Sequence, residues 1–252
     1  MPETSANTVL VTGAAGGIGS AVAQVLRRVG YRVVGLDRRE PPEPDADWIR
    51  HDLLETADTE AVLGASPLLA GLRHVVAAAG GPVDDEAGVL DPAEIPVDVF
   101  RASVELNLVA QYALVRAAAA RIGTEASEGD RSITLISSIN ALRGYGMPGY
   151  SAAKAGLLGL VVALALPLGR RGIRINAIAP GTVLTERFRE TYPPGGELGP
   201  RLIETTVSGR ATDADDVAQA VAAVLGLQQM TGQCLVIDGG QLAVPFDHYP
   251  LA

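Results

Sequence analysis

Residues 8–19 read TVLVTGAAGGIG: a short apolar run breaks into clustered glycines, and helical spacing follows. TVLV (8–11) is short, continuous and β-branched, which suits a buried strand. SAVAQVLRRVG (20–30) places apolar residues three and four apart and ends on Gly30, a residue suited to the left-handed position just past a helix. Strand, glycine loop, helix is the opening of a parallel sheet wound with helices, and the rest of the chain keeps that rhythm.

Strands are predicted at 31–37, 48–52, 72–81, 132–138, 173–181 and 233–240, and helices at 98–122, 149–169 and 213–226. PPEPDAD (41–47) and TEASEGD (124–130) read as loops. Apolar strands alternating with helices predict an α/β, three-layer, doubly wound Rossmann fold with a parallel sheet. No internal repeat or low-complexity linker interrupts 1–252, so one domain is expected. Residues 186–208, rich in charge, Pro and Gly, read as a lid or substrate loop. Pro167, late in the 149–169 helix, predicts a local distortion or early termination there.

Composition narrows the function classes. Nearly half of the 252 residues are apolar, which supports a sizeable core. The formal net charge of −9 argues against nucleic acid or an anionic membrane as partner. Cys234 is the only cysteine, so no internal disulfide forms, and the start of the chain has no basic, apolar leader; a cytoplasmic protein is expected. LLGLVVALALPLG (157–169) is too short to span a bilayer and reads as a buried helix. His51, His74 and His248 stand isolated, without metal-ligand spacing, so no metal site is expected.

Gly13, Gly16, Gly17 and Gly19 sit where the first strand meets the first helix. Ligands of open α/β sheets bind at that end. Glycines let the backbone approach a pyrophosphate, and the helix N-terminus supplies N–H groups and positive potential. The second strand ends in Asp37, where a carboxylate accepts hydrogen bonds from an adenosine ribose. That acid favours NAD over NADP, since it repels a 2′-phosphate. Arg38 and Arg39 follow at once and suit a phosphate instead, so NADP stays as the less favoured alternative.

Lys154 is the only lysine among 20 basic lysine and arginine residues, and it stands four residues after Tyr150. On a helix the two share a face. A tyrosine near its usual pKa of about 10 is a poor base at neutral pH. A neighbouring ammonium favours the phenolate and lowers that pKa. The pair is then fitted to acid–base work on an alcohol–ketone couple. A solvated face would have accepted arginine, as this chain does elsewhere. Upstream, Ser137 and Ser138 end a strand and offer a hydroxyl to a substrate oxygen.

TGAAGGIG, AAAGG, NLVAQY, ISS, YSAAK, IRINAIAPGTVLT and DGG occur in that order. The set resembles the short-chain dehydrogenase/reductase family, in its single-domain branch, from about Thr8 to Gly240. The resemblance implies an NAD(P)-dependent oxidoreductase that interconverts a secondary alcohol and a ketone by hydride transfer. It implies Tyr150 as general acid/base and Lys154 as the group that lowers its pKa and binds the nicotinamide ribose. A serine would bind the substrate oxygen, and Asn107 would hold a water of the proton relay. Asp52 and Leu53 would meet adenine. Gly13, Gly16, Gly17, Ile18 and Gly19, with Ala79 and Gly80, would line the dinucleotide. Pro180, Gly181, Val183 and Thr185 would line the nicotinamide. It also implies a homo-oligomer, a dimer or tetramer packed through the long helices.

Two departures from the family pattern matter. Ala77 and Ala78, before Ala79 and Gly80, stand where asparagines are common, so only a backbone role is carried over there. Family spacing counted back from Tyr150 gives Ser137 as the serine, whereas matching the strand end gives Ser138 with one residue missing from the following loop. A loop absorbs a deletion more easily than a strand absorbs a slip, which favours Ser138. Asn140, Leu142, Tyr145 and Met147 are expected to shape a small-molecule substrate pocket with Ser138 and Tyr150. A hydrolase is set aside because no Gly-x-Ser-x-Gly elbow surrounds Ser138. A sugar-nucleotide epimerase or dehydratase fits the chain length and glycine spacing less well. A silent NAD-binding sensor would not require Asn107, Ser138, Tyr150 and Lys154 together.

Overall fold

A computed structural model describes residues 7–86, 89, 91–122, 129–144, 146–191, 200 and 203–244. The chain runs β1 (Thr8–Thr12), α1 (Gly17–Arg28), β2 (Arg32–Asp37), β3 (Trp48–Arg50), α2 (Thr59–Ala65), β4 (Leu72–Ala77), α3 (Val97–Val104) and α4 (Ala110–Ile122). It continues through β5 (Ser132–Ile136), α5 (Pro148–Gly169), β6 (Arg174–Pro180), α6 (Glu186–Thr191), α7 (Ala214–Gly226) and β7 (Cys234–Ile237). The seven strands form one sheet in the order β3-β2-β1-β4-β5-β6-β7, every neighbouring pair parallel. Chain order turns around between β1 and β4, and a crevice opens at that point beyond the strands' C-terminal ends.

Alternation along the strands feeds two cores. Val9, Val11, Val33, Val76 and Ile178 pack against Val22 and Leu26 of α1 and Val217, Val221 and Val224 of α7. Leu10, Val34, Val75, Ile133, Leu135 and Ile175 pack on the other face against Leu63 of α2, Leu114 and Ala118 of α4 and Leu157 and Val161 of α5. The ends of α1 and α7 are written into the sequence. The Gly30 N–H donates to the Arg27 carbonyl and the Tyr31 N–H to the Leu26 carbonyl, with Gly30 at φ 96°, a left-handed helix stop. Asp213 and Asp216 cap each other's backbone at the start of α7.

The structure departs from the sequence reading in four places. The strands expected to reach 81, 138 and 240 stop at Ala77, Ile136 and Ile237, and the residues beyond leave the sheet to wall the crevice. Helix α2 was not foreseen, because a seven-residue helix carries too little period to detect. Residues 186–208, expected to be irregular, begin with helix α6; 192–199 and 201–202 lie outside the described residues. Helix α5 runs through Pro167 to Gly169 and is not the buried helix expected. Only 28% of its most apolar window is buried, and Val162 and Leu166 stand exposed while Ala153, Leu157 and Val161 face the sheet. By length and composition α5 would also suffice to cross a membrane. It lies instead with one face on the sheet.

Candidate active site

The crevice is a cleft of about 700 Å³ lined from one end to the other by the residues singled out above. At one end lie Gly13, Gly16, Gly17, Ile18, Gly19, Asp37, Asp52 and Leu53; at the other lie Ser138, Asn140, Met147, Tyr150 and Lys154. Ala79 and Gly80 on one wall and Pro180, Gly181, Val183 and Thr185 on the other join the two.

The first end fits a dinucleotide. Gly13 turns at φ 65°, and a Cβ on it would stand 2.7 Å from the Ala79 Cα. No side chain caps α1 at Gly16, and its first turn holds no acid. Its N-terminal amides therefore remain for an anion. Asp37 is buried, and Arg39 grips it through Nε at 3.1 Å and Nη2 at 3.2 Å. The backbone N–H groups of Ala15 and Arg39 also donate to it, each at 3.1 Å. Burial alone would raise its pKa; Arg39 and the two N–H groups hold it below the usual carboxylate range. Arg38 also lines the cleft and is 72% exposed, 3.9 Å from Asp52.

At the second end, Ser137 and Ser138 part company. The Ser137 Oγ donates to the Lys154 carbonyl at 2.9 Å. The Ser138 side chain lines the cleft with Tyr150, acts on its phenol to lower the pKa, and donates to the Asn140 Oδ1 at 3.2 Å. The Lys154 Nζ donates to the Ile136 carbonyl at 2.9 Å and sits 5.5 Å from the centre of the Tyr150 ring. The expected lowering of the tyrosine does not appear. Burial pushes the half-buried Tyr150 phenol up to about 12, against the pull of the Ser138 hydroxyl. Burial also pushes Lys154 down to about 8. Desolvation disfavours the charged form of both groups, so each moves toward neutrality.

A family model described as enoyl-(acyl carrier protein) reductase matches residues 13–241. The chain belongs to the short-chain dehydrogenase/reductase family. An L-rhamnose 1-dehydrogenase (NAD(P)(+)) of Azotobacter vinelandii is 34% identical over 92% of this chain and 95% of its own. An uncharacterized oxidoreductase of Schizosaccharomyces pombe is 32% identical, covering 93% and 90%. The solved structure of an actinorhodin polyketide ketoreductase with NADPH superposes with a TM-score of 0.82 at 28% identity, covering 96% of this chain and 99% of that one. As a short-chain dehydrogenase/reductase the chain is an oxidoreductase that acts on CH–OH groups, and the family uses NAD(P) cofactors.

Within this family member two expected site residues fall outside the cleft lining, and a third lies outside the described residues. Asn107 is fully buried and does not line the cleft. Its amide accepts from the Gly81 N–H and donates to the Gly81 carbonyl, both at 2.9 Å, and donates to the Ser103 carbonyl at 3.0 Å. It fixes the turn after β4. Leu142 is exposed and lies outside the lining. Tyr145 lies outside the described residues. The Ala79 N–H donates to the Thr12 Oγ1 at 3.3 Å, which ties the turn after β4 to the end of β1.

Two supporting residues escaped the sequence reading. Gln111 donates to the Ala79 carbonyl at 3.1 Å, from just past Glu105–Val109, where α3 passes into α4 through a widened turn. Such turns gather at functional sites. Gln241, fully buried, accepts from the Thr182 N–H at 3.0 Å and ties the 180–185 loop to the turn after β7. Both are amides acting across long sequence separations, which no local spacing reveals.

Proposed function

We propose that this chain is an NAD-dependent dehydrogenase of secondary alcohols that also runs as a ketone reductase, with Tyr150 moving the proton. The observation that carries this reading is the gathering of Ser138, Tyr150 and buried Lys154, its Nζ 5.5 Å from the Tyr150 ring centre, at one end of a cleft whose far end is Asp37 and the glycine loop. When bound, the nicotinamide supplies hydride exchange. The protein's own residues do the rest. Ser138 holds the substrate oxygen. Tyr150, its phenol pushed up by burial, donates to a ketone oxygen. In the alcohol direction it accepts a proton, which requires Lys154 to carry its charge. Asn107 serves by holding the Gly81 turn. Asp37 accepts from the adenosine ribose, and Asn140 and Met147 bound the substrate side.

One observation favours a second reading, an NADP-preferring ketone reductase. Arg39 already lies on Asp37, and a rotation would move its guanidinium to a 2′-phosphate. The NAD(P)(+) of the rhamnose dehydrogenase's name and the NADPH of the polyketide ketoreductase structure belong with this alternative. A panel of secondary alcohols and ketones run with both nicotinamides, followed at 340 nm with Tyr150→Phe as control, tests both. Turnover that survives Tyr150→Phe sinks the mechanism. Equal kcat/KM for the two nicotinamides sinks the preference.

We further read the chain as a homo-oligomer. Val97, Phe100, Val109 and Tyr112 along α3 and α4 and Val162 and Leu166 of α5 are large, apolar and exposed. A second copy laid on these helices would cover them. Light scattering on the purified chain measures this; a monomer at micromolar concentration rejects it.

A further inference from the structure

Helix α5 carries Tyr150 and Lys154, yet it starts without a cap of its own. Its N-cap residue is Met147, held at φ 51° with no side-chain bond to the helix. A thioether is a poor substitute for the oxygens that usually fill this role. Pro148, at the first helical position, has no N–H to satisfy. The Ser151 N–H already donates to the Met147 carbonyl at 2.8 Å. The amides of Gly149 and Tyr150 remain, and an unpaired buried amide is costly.

Both amides go to one carboxylate from a distant segment. The Gly149 N–H donates to Glu86 Oε1, and the Tyr150 N–H is shared between Oε1 at 3.1 Å and Oε2 at 3.2 Å. Glu86 is fully buried. Such a residue is tolerated only where its oxygens are partnered, and the positive end of a helix adds to that. Its seat depends on Gly149: a Cβ there would stand 2.9 Å from Ser103 Cβ and 3.1 Å from both Glu86 Oε1 and Phe100 Cα. Glu86 ends the turn that leaves β4, in which Pro82, Val83 and Asp84 line the cleft. The other side of that turn is held by Asn107 on Gly81 and by Arg187 of α6, which donates to the Pro82 carbonyl and the Asp84 carboxylate, each at 2.7 Å.

We propose that Glu86 is a positioning residue for the reaction: by capping α5 from the β4 turn, it sets where the Tyr150 phenol stands against Ser138. The proposal rests on the reading of Tyr150 given above. A cap that served stability alone would change the melting temperature and leave the folded enzyme's kcat untouched. A misplaced proton donor costs turnover, with about 100-fold lost for a displacement of about 1 Å.

The test compares Glu86→Ala, Glu86→Gln and Tyr150→Phe in the full chain, with the nicotinamide and alcohol that the parent turns over, well below each melting temperature. Glu86→Ala is expected to lose kcat at least tenfold with the nicotinamide KM within threefold. Glu86→Gln, which keeps one acceptor oxygen for both amides, is expected to recover most of that loss. Amide exchange at Gly149 and Tyr150 should quicken in the alanine variant and stay slow in the glutamine variant. A folded Glu86→Ala enzyme with kcat within twofold of parent overturns the proposal, as does a loss confined to the nicotinamide KM. If Glu86→Ala does not fold, Glu86→Asp decides: it withdraws the carboxylate by one methylene, and a parental kcat there overturns the proposal too. Should Tyr150→Phe keep parental turnover, the tyrosine reading itself fails and Glu86 falls with it. Inactive Tyr150→Phe beside parental Glu86→Ala sinks the Glu86 role alone.

Discussion

The Ser137 hydroxyl donates to the main-chain carbonyl of Lys154 at 2.9 Å, so the first serine of the pair is committed to holding α5 on the end of β5. Adjacent residues of an extended chain point to opposite sides, and Ser138 accordingly meets Tyr150 in the cleft. The two serines should separate cleanly on mutation. Ser138→Ala is expected to lower kcat by about 100- to 1,000-fold, the usual cost of removing one donor to a developing oxyanion. Ser137→Ala removes a buried hydrogen bond, expected to cost about 1 kcal/mol of stability, and should keep kcat within a few-fold. Steady-state kinetics and urea unfolding on both variants check this; the reverse pattern would assign the substrate oxygen to Ser137.

In the proposed mechanism Lys154 serves the chemistry at the expense of the fold. Its side chain is almost wholly buried, with the Ile136 carbonyl as acceptor at 2.9 Å. Burial takes it from 10.5 down to about 8. Between those pH values the unfolded chain binds the proton and the folded chain does not, so stability rises with pH across that window. Below 8 the full cost is present, on the order of 3 kcal/mol for a shift of this size. Lys154→Met is therefore expected to raise the melting temperature at pH 7 and to abolish turnover. Lys154→Arg should also lose turnover at least 100-fold, because a broad planar guanidinium does not replace a slim ammonium in this seat. Near-parental kcat in the arginine variant would make the single lysine an accident of composition.

What was legible in the sequence was whatever rests on local period or on ordered motifs. TVLVTGAAGGIG announced β1, the glycine loop and α1, and Gly30 marked where that helix stops. Tyr150 and Lys154 were legible because i and i+4 share a helix face. What stayed hidden acts through space: Glu86 reaches α5 from 63 residues away, and Gln241 reaches Thr182 across 59. The pKa direction of Tyr150 was missed for a related reason. Spacing shows which charge is near, while burial, the larger effect here, is a property of the packed molecule.

Asp37 and Arg39 give the cofactor preference a test with opposite signs. Removing the carboxylate by Asp37→Ala leaves the ribose hydroxyls without their acceptor and frees the guanidinium now bound at 3.1 and 3.2 Å. NAD is expected to lose at least tenfold in kcat/KM and NADP to gain. Arg39→Ala should remove whatever NADP activity the parent has and leave NAD within a few-fold. Initial rates with each nicotinamide at subsaturating concentration measure both. If Asp37→Ala weakens NAD and NADP alike, the carboxylate serves only to order the loop.

In the central strand β4, toward the end of the sheet away from the cleft, His74 makes the fold acid-sensitive. Its ring is buried, with Nδ1 2.9 Å from the Ser132 Oγ and Tyr31 packed edge-on at 5.7 Å. Burial lowers its pKa from 6.5 to about 4; Asp130 opposes that shift, and Arg174 and Arg73 reinforce it. The folded chain thus keeps the ring neutral where the unfolded chain charges it. Stability contributed by the neutral ring is whole above pH 6.5, falls as pH drops from 6.5 toward 4, and falls no further below that. The loss is on the order of 3 kcal/mol. His74→Leu leaves Ser132 without its partner and should be less stable at pH 7, but its stability should change much less between pH 6.5 and 4. Urea midpoints at half-unit steps across that window decide the matter. Parallel pH profiles for parent and variant would remove His74 as the source, and a steeper fall in the variant would reverse the sign argued here.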